Sequence, residues 1–161
     1  MKPVIYLAAR YSRRLELCVY RAKLAAAGFR VQAQWLNGEH QISDDGVPIG
    51  EDGESLIEGA LRPGERLSPD NQSERATALR RRFAADDFRD VTSCQLLIAF
   101  TEEPRSSASR GGRHVELGIA LGQMKRVWIV GPRENIFCWL DDVRQFRTFE
   151  HAFAQLSGDY V

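Results

Sequence analysis

Glu116 is the residue whose type and position point most clearly to chemistry. It follows a glycine-rich loop, Ser109 to Gly112, in a helix whose apolar residues lie on nearly every side. We expect such a helix to be buried, and a carboxylate in its first turn is costly to bury unless it is paired, neutralised or used. Because a helix N-terminus favours the ionised form, the pattern predicts a nucleophile. The alternative is a solvated glutamate that only stabilises the helix dipole.

Asp87 is the second candidate acid, on a helix predicted over residues 73–92. At about 100° per residue, Asp87 falls within the apolar stripe, Asp86 faces solvent and Asp90 lies nearer the stripe's edge. The stripe consists of Leu79, Phe83, Ala84, Phe88 and Val91. We therefore predict that Asp87 points toward the sheet or its rim. The alternative is a structural aspartate that braces a neighbouring loop.

Two such carboxylates suit transfer of a glycosyl group. One attacks the sugar carbon while the other delivers a proton to the leaving group, and a separation of about 5 Å is expected for a covalent, retaining route. Tyr6 ends the first predicted strand on the same rim, where its hydroxyl is placed to hydrogen-bond and orient Glu116. The alternative is a core aromatic with its hydroxyl at the surface.

The loop from Ser109 to Arg113 offers a possible phosphate site. Backbone N–H groups at a helix N-terminus bind anions, and Arg10, Arg13 and Arg113 are placed to add positive charge beside Gly111 and Gly112. The chain contains neither the GxGxxG dinucleotide pattern nor the GxxxxGK[ST] pattern. A plain surface loop is the alternative interpretation.

The predicted elements alternate between strand and helix, which indicates a parallel sheet with helices on both faces. Strands are predicted at 4–7, 29–35, 95–100, 126–130 and near 144–147, and helices at 12–27, 73–92, after Gly112, at 136–140 and at 149–156. Ligands of such sheets bind beyond the carboxyl ends of the strands. Residues 8–13, 101–112 and 131–135 are all expected on that rim.

The 161 residues are expected to form one domain, with an insertion over about 37–72 that is a lid, a binding loop or a disordered segment. A net charge of zero argues against a nucleic-acid polymer as partner. The three cysteines and three histidines show no metal-binding spacing, so we expect reduced thiols and no metal or cofactor. No apolar run is long enough to span a membrane, and we expect a cytoplasmic protein.

Several segments together resemble nucleoside 2-deoxyribosyltransferases and the related nucleoside 5′-monophosphate N-glycosidases. The similar segments are Ile5-Tyr6-Leu7-Ala8, Asp87-Phe88-Arg89-Asp90-Val91, Val115-Glu116-Leu117-Gly118 and the turn Gly131-Pro132-Arg133-Glu134-Asn135. In order and spacing they extend the resemblance over most of the chain outside residues 37–72.

The resemblance implies an α/β, flavodoxin- or Rossmann-like sandwich, with a mainly parallel sheet of four to five strands flanked by helices. It also implies a homodimer or higher homo-oligomer whose active site borrows residues across the interface. In that family pattern Glu116 forms a covalent (deoxy)ribosyl ester, Asp87 handles base protonation and Tyr6 positions the nucleophile. Asn135 corresponds to an asparagine that a neighbouring subunit contributes near the sugar 5′ end. Ala8 belongs to the substrate-binding rim.

One departure from the family pattern concerns the 5′ end of the substrate. Deoxyribosyltransferases commonly carry an acid six positions before the nucleophile, where this chain has Arg110 with Ser109 beside it. Losing a carboxylate there removes repulsion toward phosphate, which favours a nucleoside 5′-monophosphate over a free nucleoside. We expect hydrolysis or transfer at the N-glycosidic bond of a (deoxy)nucleoside or its monophosphate, with the base left open. The alternatives are a non-catalytic nucleotide-binding or sensing module and a purely structural subunit.

Overall fold

A computed structural model describes residues 1–42, 73–103 and 111–160. Most of the predicted insertion, together with Ser109 and Arg110, lies outside these residues. The helices and strands, in chain order, are β1 Val4–Ala8, α1 Arg14–Ala26, β2 Arg30–Val31, α2 Glu74–Ser93, β3 Leu96–Phe100, α3 Gly112–Gly122, β4 Arg126–Val130, β5 Val143–Phe146 and α4 Phe149–Asp159.

The five strands form one sheet in the order β2-β1-β3-β4-β5, and every neighbouring pair is parallel. This is the flavodoxin-like strand order, so the predicted fold class is confirmed. The central strand β3 is buried along its whole length, as expected when helices cover both faces of a parallel sheet.

The helices divide between the two faces. Tyr20 of α1 stacks on Phe149 of α4 with ring centroids 4.0 Å apart, which places these two helices together. On the other face α2 packs beside α3, and both contact β1. Among the helices in the described ranges, none is both long and apolar enough to cross a membrane.

The second strand is much shorter than predicted. Only Arg30–Val31 pairs with β1, and the chain then forms a 3-10 turn at Gln34–Asn37. Trp35 explains the difference, because its indole Nε1 donates a hydrogen bond of 2.9 Å to the carbonyl of Leu7 and holds this segment across the end of β1. The first helix is also shorter than predicted, since a 3-10 turn at Tyr11–Arg13 precedes α1.

The prediction that α3 is buried on all sides was wrong. Only Arg113, Leu117 and Ala120 are buried on this helix, while Val115 is 62% exposed. Likewise Phe88, which was placed on the buried stripe of α2, is 56% exposed. One face of each helix meets the rest of the described chain, so an apolar residue outside that face stays exposed whatever its hydrophobicity.

The loops after the three central strands meet at one edge, as predicted. The N–H of Thr101, just after β3, donates to the carbonyl of Val130 at the end of β4. Gly131 has φ +120°, and a Cβ on it would lie 2.7 Å from the Thr101 hydroxyl oxygen. A glycine is required here because any side chain would force the two loops apart.

Candidate active site

The candidate site lies where the strand order reverses, between β1 and β3, which is where ligands of such sheets bind. The predicted hydrogen bond is present: the Tyr6 hydroxyl donates to Glu116 Oε1 at 2.7 Å. Tyr6 is in the middle of β1 rather than at its end, and it is fully buried. Its hydroxyl therefore points to the carboxylate instead of reaching the surface.

The environment of Glu116 favours the protonated form of its carboxyl group. Burial raises the pKa of this carboxyl from 4.5 to about 8. The hydrogen bond from Tyr6 lowers this pKa, the negative charge of Asp87 raises it further, and the positive charge of Arg113 lowers it. Burial also raises the pKa of Tyr6 well above 10.0, with the charges of Glu116 and Asp87 contributing. The tyrosine is therefore a fixed hydrogen-bond donor.

This pKa corrects the expectation that the helix N-terminus keeps Glu116 ionised. The helix begins at Gly112 and has no acidic residue in its first turn, so Glu116, one turn in, lies beyond the reach of most of the dipole's effect. Desolvation is the larger influence. At pH 7 a carboxyl with a pKa of about 8 is ionised in only about a tenth of the molecules.

Asp87 points into the same region, as predicted. Its charge contributes to the raised pKa of both Glu116 and Tyr6, and the helices that carry the two carboxyl groups, α2 and α3, pack beside each other against β1. Its neighbour is His40, whose Nε2 lies 3.2 Å from Asp87 Oδ1. Within the described ranges neither Asp87 nor Glu116 is paired with a lysine or arginine.

The other two aspartates of α2 lie differently from their predicted positions. Asp86 was expected to face solvent, yet its side chain is 15% exposed against 28% for Asp87, because Arg82 and Arg89 cover it. Asp90 is buried. Its carboxylate accepts hydrogen bonds from the Gln34 backbone and side chain and from the Gln32 side chain, so it ties α2 to the segment after β2.

Two of the three arginines proposed for a phosphate already bind carboxylates. The buried Arg113 donates from Nη2 to Glu134 Oε1 at 2.6 Å. Arg13 binds both oxygens of Glu16 and also contacts Glu102. Their charges are thus largely offset within the chain. Arg10 is half-buried just before the Tyr11–Arg13 turn.

The remaining predicted substrate residues lie around the same edge. Ala8 ends β1, Gly111 precedes α3 with φ +83°, and Gly112 is the first residue of that helix. Asn135 caps the short 3-10 turn Ile136–Trp139 through its Oδ1, and its Nδ2 lies 3.4 Å from His114 Nδ1. Ser109 falls outside the described residues.

Three residues near the site were not among the predicted site residues. Glu134 bridges the two loops, since it binds Arg113 and also accepts from the Glu102 backbone N–H at 2.6 Å. Asp90 had a weak signal in its position near the edge of the apolar stripe. His40 gave no periodic signal at all, because it lies in an irregular segment and is brought to Asp87 only by tertiary packing.

Comparison with models of known protein families and with curated proteins finds no match for this chain. An assignment of function therefore depends on the site's own geometry and on the motifs in the sequence.

Proposed function

We propose that this protein cleaves or transfers at the N-glycosidic bond of a (deoxy)nucleoside or its 5′-monophosphate, through a covalent glycosyl ester on Glu116. The observation that carries the proposal is the 2.7 Å hydrogen bond from the buried Tyr6 hydroxyl to Glu116 Oε1. A carboxylate held by one neutral donor at a switch point, with a second carboxyl nearby, matches the needs of double displacement.

In the first step, a Glu116 oxygen bonds to C1′ as the C1′–N bond breaks. The electron pair of that bond goes to the base nitrogen, which takes the proton of Asp87. In the second step, water or an acceptor base attacks C1′, the ester bond to Glu116 breaks, and Asp87 takes back a proton. The reaction uses side chains alone and restores both carboxyl groups.

The electrostatics of the site fit this cycle in a specific way. Two nearby carboxyl groups tend to share one proton, because the ionised one opposes ionisation of the other. The raised pKa of Glu116 keeps one proton in the site near neutral pH. The productive arrangement has the same proton count, with the proton on Asp87 and the negative charge on Glu116.

The direct test is release of free base from a panel of nucleosides and their 5′-monophosphates, with and without an acceptor base. Base release in water alone indicates hydrolysis, and a new nucleoside or nucleotide in the presence of an acceptor indicates transfer. A folded protein that releases no base from any member of the panel would rule out the enzymatic proposal.

Glu116→Ala separates this proposal from a nucleotide-sensing module. The enzyme should lose nearly all turnover while still binding substrate, whereas a sensor should keep its ligand response. Asp90→Asn is a poor control because Asp90 braces the fold. A better control is Asp159→Asn, because Asp159 lies at the far end of α4.

We also propose that the chain forms a homo-oligomer. Apolar side chains are exposed around the rim and the start of α3, and the contact between Asn135 and His114 joins these two regions. The exposed residues are Val115, Ile136, Phe137, Trp139 and Leu140. Exposed apolar groups gathered in one region are typical of an interaction surface.

A further inference from the structure

We propose that His40 is a positioning residue for Asp87, holding one carboxylate oxygen so that the other faces the substrate base. This inference rests on the proposed function. It is based on the 3.2 Å distance between His40 Nε2 and Asp87 Oδ1. No other residue in the described part of the chain has a ring nitrogen at either carboxyl group of the candidate site.

The surroundings of His40 fix the imidazole in place. Its ring stacks on Phe83 of α2 with centroids 4.5 Å apart, and its side chain is only 10% exposed. The segment that carries it is held to the same helix through Ile42, which packs with Ala76 and Phe83. The imidazole is thus placed by α2, the helix that also carries Asp87.

Three polar atoms of this pair are unsatisfied. Both ring nitrogens of His40 and Oδ1 of Asp87 are buried and have no aligned hydrogen-bond partner within the described ranges. Buried polar atoms in that state are costly, whereas catalytic hydrogen bonds are commonly long or misaligned before substrate binds and tighten afterwards. A small rotation of either side chain makes His40 Nε2–H a donor to Asp87 Oδ1.

The chemical consequence follows from the charge that develops on Asp87. As the base nitrogen takes the Asp87 proton, the carboxyl group becomes a carboxylate, and a donor already in place stabilises that charge in the transition state. One oxygen of Asp87 then accepts a hydrogen bond from His40, and the other faces the base. His40 acts through Asp87 and touches no reacting atom.

The test compares two substrates that differ in their need for a proton. An ordinary purine nucleotide must have its base protonated to leave, whereas an N7-methylated purine nucleotide carries a positive charge and its base leaves neutral. His40→Phe keeps the ring on Phe83 and removes the donor. We expect kcat to fall by about tenfold or more on the ordinary substrate and to stay near the wild-type value on the methylated one.

Two further variants sharpen the result. His40→Gln restores an N–H donor and should recover part of the lost rate. His151→Gln, at an exposed position on α4, should leave both substrates unaffected. In the double variant His40→Phe with Asp87→Asn, the loss of kcat on the ordinary substrate should be no larger than in Asp87→Asn alone. Both changes impair the same step, protonation of the base by Asp87.

The outcomes separate this inference from the proposed function. If the wild-type protein releases base but His40→Phe behaves like wild type, or slows both substrates equally, the role of His40 is overturned and the activity stands. If the wild-type protein releases no base from any substrate, both the role of His40 and the proposed function are overturned.

A direct readout of the contact is the ¹⁵N resonance of His40 Nε2, which should move in Asp87→Asn. An unchanged resonance would also overturn the role of His40.

Discussion

Glu116 combines a strongly perturbed proton affinity with a neutral partner. Buried carboxylates that serve only structure are usually paired with a cation or surrounded by several donors, as Glu134 is by Arg113 and the Glu102 N–H. Glu116 instead has the hydroxyl of Tyr6 and a pKa raised to about 8. Perturbation of this kind is typical of functional sites.

The pH dependence of kcat/KM should report this group. Because the productive form holds one proton between Asp87 and Glu116, and that proton is lost with a pKa of about 8, we expect the rate to fall as the pH rises through about 8. Tyr6→Phe removes a hydrogen bond that lowers the Glu116 pKa and should move the fall to higher pH. Asp87→Asn leaves Glu116 as the group that must be ionised and removes a charge that raises its pKa, so whatever activity remains should instead rise with pH, at a value below 8. A wild-type rate that rises through pH 8 would contradict these electrostatics.

The same pKa has a consequence for stability. Relative to an unfolded value near 4.5, the folded protein binds this proton more tightly, so the contribution of Glu116 to stability is fully present below pH 4.5 and is lost as the pH rises through about 8. Glu116→Gln should remove that loss. We expect it to raise the free energy of unfolding at pH 8 by roughly 2–4 kcal/mol, with little effect at pH 4, as measured by denaturant titration at both values.

Glu134→Gln is the matched comparison and should act in the opposite direction. It removes the partner of the buried Arg113 guanidinium, and an unpaired buried charge costs about 3 kcal/mol or more. If both glutamine variants destabilise the protein at pH 8, the raised pKa of Glu116 is wrong.

Among the elements, the turn after β4 determines how the loops of the rim meet. Gly131 combines φ +120° with a close approach to Thr101, whose carbonyl oxygen would lie 2.9 Å from an added Cβ. Gly131→Ala should therefore lower the free energy of unfolding by roughly 1–3 kcal/mol. The measurement is equilibrium unfolding in denaturant.

Gly158→Ala provides the control in a helix. An added Cβ at Gly158 meets no atom within 4 Å, so alanine should stabilise the end of α4 by at most about 1 kcal/mol. Equal destabilisation by the two alanines would show that the turn has no special constraint.

The helices and strands also show how far the sequence could predict the structure. Buried apolar runs with stops between them predicted β3 and β4 closely, because such strands are determined by local hydrophobicity. The end of β2 could not be predicted, since Trp35 leaves the sheet for a hydrogen bond to Leu7, a distant residue. Periodicity placed Asp87 correctly. It could not rank the burial of Asp86 and Asp90, which depends on Arg82, Arg89 and Gln34.

For the whole molecule, the exposed apolar residues near the rim predict self-association. Light scattering after size exclusion should give a mass of at least twice that of one chain, and Ile136→Asp should reduce it to one. Leu15→Asp is the control, because Leu15 is comparably exposed on α1, on the other face of the sheet. A monomeric wild-type protein, or dissociation by Leu15→Asp alone, would contradict the proposed interface.

The central claim is that Glu116 forms a covalent bond with a sugar, and trapping tests it most directly. A 2′-fluoro-substituted nucleotide slows both displacement steps and should let the ester accumulate when its base is a good leaving group. Mass spectrometry of the digested protein should then find the sugar on the peptide that contains Glu116, and no adduct in Glu116→Gln. An adduct on another residue, or base release by the wild-type protein with no ester formed under any trapping condition, would contradict the account.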